Sequence, residues 1–309
     1  MVMENFHLHA EGGVIKYRGR EEDRHAFVLR HNHAFRGDVW RAVFFNERFQ
    51  KEYGSSVHAT FLFNFCSAVA GLLCLLVINR FAVGFTPFTL LMAALAALNS
   101  LLYTFCAIKA FSHINLSLFS IFAMLGGMLL PFVFGILFYY EGLTLGKGIC
   151  ILLIVAALAI TVKRGEKKGG FIYYAGVFIL NGMSGVISKI FTAAPYEKTN
   201  SASYSIWIAI VGAVLSGVVL LFMLKGMKRP SWKALGFTLG YGGINKVANF
   251  LLLLALAVLP ASVQYPFVTG GTMIVSCLIG LLRRERPSWR GWVSVALSLA
   301  GILFLIFLP

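Results

Sequence analysis

Lys246 is the residue of this sequence with the clearest chemical potential, because it lies at the midpoint of the apolar run 234–258. In an α-helix over this run its Cα would be roughly 18 Å from either end, which is too far for its side chain to snorkel fully to water. Ionisable groups at such depth usually face a bundle interior or a water-filled cavity. Lys246 is therefore a candidate for binding an anion or exchanging a proton; the alternative is a structural lysine that pairs with backbone carbonyls.

Polar residues on the same helix and on two others complete the candidate site. Tyr241, Asn245 and Asn249 recur at intervals of four and form a polar face beside Lys246. Asn99 has a similar mid-helix place in 86–108, where its amide could face a solute or bond a neighbouring helix. The run 261–282 opens with polar residues and contains Pro266, which can expose a backbone carbonyl. We predict a substrate-binding site made of Lys246, Asn245, Asn249, Tyr241, Asn99, Gln264 and Tyr265, with no catalytic residue and no metal ligand.

Composition indicates whether the segments that hold these residues lie in water or in lipid. The chain has 309 residues, of which 59% are hydrophobic and 13% charged, and its mean hydropathy is +0.80. A soluble domain has about a quarter charged residues, so this chain has too little polar surface for water and must be dissolved in lipid. The net charge of +15 does not indicate nucleic acid, because the basic residues lie mostly in short loops without interleaved aromatic side chains.

Apolar runs of about 20 residues predict an all-α integral membrane protein. Nine runs are evident: 59–78, 86–108, 114–140, 143–162, 171–191, 203–224, 234–258, 261–282 and 288–308. Loops rich in Lys and Arg alternate with loops that are poor in them; the rich ones follow 143–162, 203–224 and 261–282. The positive-inside rule places the rich loops in the cytoplasm and predicts a multi-pass protein of the cell membrane with its C-terminus outside.

The chain also contains an internal repeat at an offset of about 144 residues. Gly126-Gly127 followed by Glu141 has the same spacing as Gly270-Gly271 followed by Glu285. A unit with an odd number of helices makes two copies antiparallel in the membrane, which is the inverted-repeat architecture of many secondary transporters. We predict two repeats of five helices, an incomplete one at 44–163 and a second at 170–309.

One stretch near the C-terminus resembles a known family. It runs from Leu259-Pro260-Ala261-Ser262 through Gly270-Gly271 to Glu285, Gly291 and Gly301. It resembles the last two helices of the EamA-like members of the drug/metabolite transporter superfamily, and the resemblance extends over about residues 44–309. It implies ten helices and a carrier of a small organic metabolite or drug that works by alternating access. Glu141 and Glu285, at helix ends, are most simply caps and anchors.

One of the ten helices is missing from the pattern. Its expected place, near 28–48, contains Arg30, Arg36, Asp38 and Arg41, and four such charges in a span cost on the order of 10 kcal/mol. Two explanations stay open for the polar segment 1–43. It is either part of a true cytoplasmic tail or the product of a shifted reading frame over residues 1 to about 42.

The sequence lacks the motifs of several classes of protein. The chain has no metalloprotease HExxH, no Walker A loop and no dinucleotide-binding glycine motif, so we expect neither an enzyme nor an ATP-driven pump, and no cofactor. The expected partners are a small-molecule substrate and the lipid bilayer, not nucleic acid; a homodimer is left open. Two alternatives remain beside the carrier: a flippase or accessory protein for a lipid-linked polar head group, and an inactive truncated transporter.

Overall fold

The computed structural model describes residues 8–11, 14–17, 45, 48–49, 52–54, 56–111, 116–161, 171–223, 229–282 and 289–308. Within these ranges the chain forms nine α-helices. They are α1 Val57–Ile78, α2 Pro87–Phe111, α3 Leu116–Tyr139, α4 Leu145–Thr161, α5 Phe171–Ala193, α6 Ser201–Phe222, α7 Trp232–Leu256, α8 Ala261–Leu282 and α9 Trp289–Phe307. All nine predicted runs are thus confirmed as helices; the largest shift is at the end of α2, at residue 111 instead of 108.

The polar N-terminal segment contributes one element that the apolar pattern did not predict. Strands β1 Leu8–Glu11 and β2 Val14–Tyr17 pair antiparallel as a short hairpin. Residues 18–44, which include the place of the missing helix, lie outside the described residues. The same holds for Glu285 and for the basic loops at 162–170, 224–228 and 283–288.

Length and composition make this a helical membrane protein. Five helical segments are long and apolar enough to cross a bilayer: Val57–Ile78, Pro87–Ala107, Ala175–Ala193, Ser201–Phe222 and Trp232–Leu256. Large apolar side chains such as Leu73, Phe105, Leu152 and Ile172 are exposed on the outside of the bundle. An apolar surface of this extent is unstable in water and is stable in contact with lipid tails.

The helices begin where side chains can satisfy their first backbone N–H groups. The Ser56 hydroxyl accepts from Ala59 N at the start of α1, Asn200 Oδ1 accepts from Ser203 N at α6, and the Ser231 hydroxyl accepts from Ala234 N at α7. Pro260 precedes α8 and separates it from α7. Two helices contain an internal proline, Pro131 in α3 and Pro266 in α8.

Small residues let certain helices approach closely. The pairs with the most extensive contacts are α3 with α5, α4 with α9, α1 with α6 and α7, and α2 with α5 and α6. At the α3–α5 crossing, a Cβ on Gly126 would overlap the backbone of Phe178, and a Cβ on Gly182 would approach the Gly126 carbonyl to 2.6 Å. At the α1–α7 crossing, a Cβ on Gly242 would overlap Ser67. Gly126 and Gly182 thus allow α3 and α5 to approach closely.

Candidate functional site

A cavity of about 390 Å³ lies inside the bundle, bounded by α2, α3, α5, α6, α7 and α8. Its polar lining is Ser100, Asn181, Ser184, Ser188, Ser205, Asn245, Lys246, Asn249 and Thr269, and its apolar lining includes Met124, Ile208, Leu252, Leu253, Leu256 and Val268, with Tyr204 and Tyr265 between them. Among these described residues Lys246 alone carries a charge. The volume is at the lower end of the range for small-molecule pockets, about 300–1,000 Å³.

Helix α7 supplies the charged wall of the cavity. Asn245, Lys246 and Asn249 all line it, as their spacing predicted. The Asn249 side-chain amide donates to the Asn245 backbone carbonyl at 2.8 Å and lies 3.1 Å from its side-chain oxygen, so the two amides are fixed against each other. Within the described ranges no hydrogen bond or ion pair engages the Lys246 ammonium group.

The stem of Lys246 is held by the neighbouring helix α1. A Cβ added to Gly71 would overlap the Cγ of Lys246 and come within 2.7 Å of its Cβ and 3.0 Å of the Gly242 carbonyl. Gly71 therefore provides the space through which the lysine stem passes. The close α1–α7 contact fixes the start of the side chain and leaves its end for the cavity.

Helix α5 supplies a second polar wall that the sequence analysis missed. Asn181, Ser184 and Ser188 follow each other at intervals of three and four, so they lie on one face together with Gly185. The Asn181 amide donates to the Ala123 carbonyl of α3 at 2.6 Å, and the Ser188 hydroxyl donates to the Ser184 carbonyl at 2.9 Å. That spacing was visible in the sequence, and it could have identified this face.

Two tyrosines border the apolar side of the cavity. The ring of Tyr204 stacks on Phe191 with centroids 3.7 Å apart, and its buried hydroxyl has no hydrogen-bond partner among the described residues. Tyr265, a predicted site residue, lines the cavity and donates from its hydroxyl to the Gly185 carbonyl at 3.2 Å. Gly185 allows this contact because a Cβ there would overlap Pro131 and crowd the Tyr265 ring.

Three predicted site residues lie elsewhere. The Asn99 amide donates to the Leu180 carbonyl at 2.9 Å and joins α2 to α5, which is the alternative role considered for it. Tyr241 packs on Phe63, with ring centroids 4.6 Å apart. Gln264 donates to the Leu252 carbonyl at 2.7 Å, while its buried side-chain oxygen has no partner among the described residues. None of the three lines the cavity, because each points towards a helix neighbour.

At one end of the bundle, the turn after α3 directs Glu141 back towards the protein. Tyr140 adopts a left-handed conformation with φ of 51°, as is common at the end of a helix, and Glu141 N donates to the Gly135 carbonyl at 3.2 Å. Gly135 also leaves room for the carboxylate, since a Cβ there would lie 2.8 Å from Glu141 Oε2. The carboxylate can therefore reach two other helices.

Glu141 is a cap for α8 and an ion-pair partner for α5. Its oxygens accept from Ala261 N at 2.9 Å and Ser262 N at 2.8 Å, and its Oε1 lies 2.7 Å from Lys189 Nζ. The ammonium group of Lys189 also lies 5.3 Å from the ring centroid of Tyr139.

Burial would raise the pKa of Glu141, but the hydrogen bonds from Lys189, Ser262 and Ala261 outweigh it and hold the pKa below its usual range. The expected role of Glu141 as a cap is confirmed.

A second hydrogen-bonded cluster lies at the same end, where the α5–α6 connection joins the α1–α2 connection. Thr199 N donates to the Thr89 hydroxyl at 3.0 Å, and Gly84 N donates to the Ser203 hydroxyl at 3.0 Å. The Trp207 indole N–H donates to the Gly84 carbonyl at 2.9 Å. Together with Glu141, these contacts join the helix ends on one side of the cavity.

No cluster of three or more His, Cys, Asp or Glu suited to a metal ion occurs in the described ranges. The chemistry available in the cavity is therefore that of one ammonium group, several amides and hydroxyls, and an apolar surface. Such a set can hold a solute, but it offers no carboxylate for acid–base work.

Comparison with known proteins defines the fold alone. No family model matches the chain, and no curated protein matches it. The chain is similar to a solved structure described only as the crystal structure of a protein. The two superpose with a TM-score of 0.69 at 13% identity, over 92% of this chain and 96% of that one. The nine-helix arrangement thus follows a fold already observed in another protein.

Proposed function

We propose that this protein is a multi-pass carrier of the cell membrane that moves a small organic metabolite or drug by alternating access, with the EamA-like arrangement of two inverted repeats. The observation that carries the proposal is the cavity of about 390 Å³ inside a lipid-dissolved bundle, with Lys246 in its wall. A charge kept at this depth is costly, and such residues commonly mark a solute pathway. The hydroxyls and amides around it are groups that can replace the hydration shell of a polar solute.

The helix contacts support the inverted repeat. If α1–α4 correspond to α6–α9, a two-fold axis in the membrane plane maps the contacts α1–α6, α3–α8 and α4–α9 onto themselves. It also requires the α1–α7 contact to have a counterpart between α6 and α2. All of these pairs are in contact. Substrate sites of inverted-repeat transporters lie near the midplane between the repeats, and helices of both proposed repeats line this cavity.

The residues before α1 support an incomplete first repeat. Phe191, at the end of α5, packs against Met92 and Ala93 of α2 and Tyr204 of α6. On the other side of the axis, Phe49 packs against α1 and α7, at Ala59, Phe63 and Ala234. Because α7 and α1 are the counterparts of α2 and α6, Phe49 occupies the place that corresponds to Phe191. The first repeat therefore packs like the second one as far upstream as Phe49.

The contacts at one end of the helix bundle support a mechanism in which the cavity opens to one side of the membrane at a time. On the side of Glu141, α3, α5 and α8 are joined by one carboxylate, and the α1–α2 connection is joined to α6. For a solute to leave by this side, these contacts must separate or move together. Rocking of one repeat against the other would do so around the cavity.

The test is solute flux in proteoliposomes that contain the purified protein. We expect at least one small organic solute to exchange faster than in protein-free liposomes, and Lys246→Met to reduce that exchange about 10- to 100-fold by removing a charged hydrogen-bond donor. Lys233→Met is the matched control, because Lys233 lies on the same helix but is exposed outside the cavity.

Two results would contradict the carrier. One is a wild-type protein that moves no soluble solute but scrambles labelled lipid, which would favour the flippase. The other is a protein inactive in both assays, which regains flux when an apolar helix is placed before Phe44; that result would favour the truncated transporter.

A further inference from the structure

The described lining of the cavity carries charge of one sign, because Lys246 is its one charged residue. Downstream of Tyr53 the chain has only four acidic residues, Glu141, Glu166, Glu197 and Glu285. The two that the structure describes, Glu141 and Glu197, lie outside the bounds of the helices. The Glu141 carboxylate does not line the cavity, and it already binds Lys189 and the start of α8. A cationic solute in the cavity would therefore meet Lys246 and no counter-charge.

The hydrogen-bonding groups of the cavity suit an acid group. The ammonium group of Lys246 has three N–H donors, none of which is engaged within the described ranges. The Asn245 side-chain amide and the Ser184 hydroxyl add neutral donors to the same lining. Carboxylates and phosphates bind most strongly to charged donors of this kind. An anion would also neutralise a charge that is otherwise costly in this environment.

The apolar part of the cavity lining suits an apolar body. Met124, Ile208 and Leu256 line it together with the rings of Tyr204 and Tyr265. An inorganic anion would leave this surface without a partner, whereas an organic acid with an aliphatic or aromatic body would cover it. A zwitterion would bring an ammonium group into a lining that offers no carboxylate.

We infer that the solute is a small organic anion, with its acid group on Lys246 and its apolar body against Tyr204, Tyr265 and Leu256. This inference rests on the proposed carrier function and specifies the substrate class of the same cavity. It separates the protein from exporters of cationic drugs, because the selectivity comes from a single fixed positive charge. Asn245 and Asn249 orient the acid group beside the ammonium.

The experiment compares four probes with a shared phenyl body: phenylacetate, phenylacetamide, phenylethylammonium and phenylalanine. Binding to the purified protein in detergent is measured by calorimetry and by the rise in thermal stability that a bound ligand produces. We expect phenylacetate to bind about 10- to 100-fold more tightly than the other three. Lys246→Met should remove this preference, Lys246→Arg should keep part of it, and Lys233→Met should leave it unchanged.

Three results would overturn the inference. They are equal or tighter binding of the amide, the cation or the zwitterion; absence of phenylacetate binding; and phenylacetate binding that survives Lys246→Met. Each leaves the carrier proposal open to its own test, since proteoliposomes that exchange neutral or cationic solutes would show transport without anion selectivity. A protein that binds phenylacetate through Lys246 but exchanges no solute would instead count against the carrier.

Discussion

Two lysines of this protein, one buried and one half-buried, have opposite surroundings. Lys189 of α5 is paired with Glu141 at 2.7 Å and lies over Tyr139, at the end of the bundle. Lys246 of α7 lies in the cavity wall, and no hydrogen bond or ion pair engages it within the described ranges. A buried charge with a partner can be explained by structure, whereas one without a partner needs a ligand or water. The comparison therefore assigns a structural role to Lys189 and a functional role to Lys246.

The largest expected effect comes from breaking the structural pair. Glu141→Gln removes the negative charge and places an amide N–H group near existing donors, so we expect the free energy of unfolding to fall by about 3–5 kcal/mol. Chemical unfolding in detergent would measure it. Glu197→Gln, an exposed acid at the same end, is the control and should change stability by less than about 0.5 kcal/mol.

A double variant sharpens this result. Glu141→Gln with Lys189→Met removes both charges, so it should be more stable than Glu141→Gln alone, because no uncompensated ammonium group remains. If the double variant is less stable than Glu141→Gln alone, the ion pair with Lys189 is not the main way in which Glu141 stabilises the fold.

The next effect concerns the position of the functional lysine. Gly71→Ala would overlap the stem of Lys246 and crowd the Gly242 carbonyl, so we expect a loss of about 1–3 kcal/mol in the free energy of unfolding and a marked fall in flux. Gly212→Ala is the matched control, since nothing lies within 4 Å of a Cβ there. Equal stabilities for the two variants would contradict the close α1–α7 contact.

A smaller change of opposite sign is expected at Lys246 itself. Lys246→Met replaces an unpaired charge with an apolar side chain of similar length, so the free energy of unfolding should rise by about 1–2 kcal/mol while flux falls. Thermal unfolding in the same detergent would measure the rise. A loss of stability comparable to that of Glu141→Gln would show that Lys246 has a structural partner and would end the contrast between the two lysines.

The smallest effect is a dependence on pH at the structural pair. Because the pKa of Glu141 is lowered in the folded protein, its contribution is fully present above the unfolded-state pKa of about 4.3 and is lost as the pH falls towards the folded-state value. The difference in melting temperature between wild type and Glu141→Gln should therefore be constant near neutral pH and shrink below about pH 4.3. A difference that grows in acid would reverse the assigned direction.

The sequence predicted the helices better than their contacts. The beginning of α8 at Ala261 followed from Pro260, and the common wall of Asn245, Lys246 and Asn249 followed from helical spacing. The pairing of Lys189 with Glu141 could not be predicted, because it depends on how three helices meet. Asn99 was predicted in the site because its mid-helix amide could face a solute, whereas in the structure it donates to the Leu180 backbone carbonyl. Ser184 and Ser188 were missed because serine is common in membrane helices.

The carboxylate of Glu141 also has a mechanical consequence for the helices it joins. It ties the last turn of α3, the last turns of α5 and the first turn of α8 into one stiff cap. Below this cap, α3 and α8 each contain a proline, Pro131 and Pro266, where a backbone hydrogen bond is missing and a helix bends most easily. Two of the three helices that meet at Glu141 thus have a point of easy bending below it, whereas α5 contains no proline.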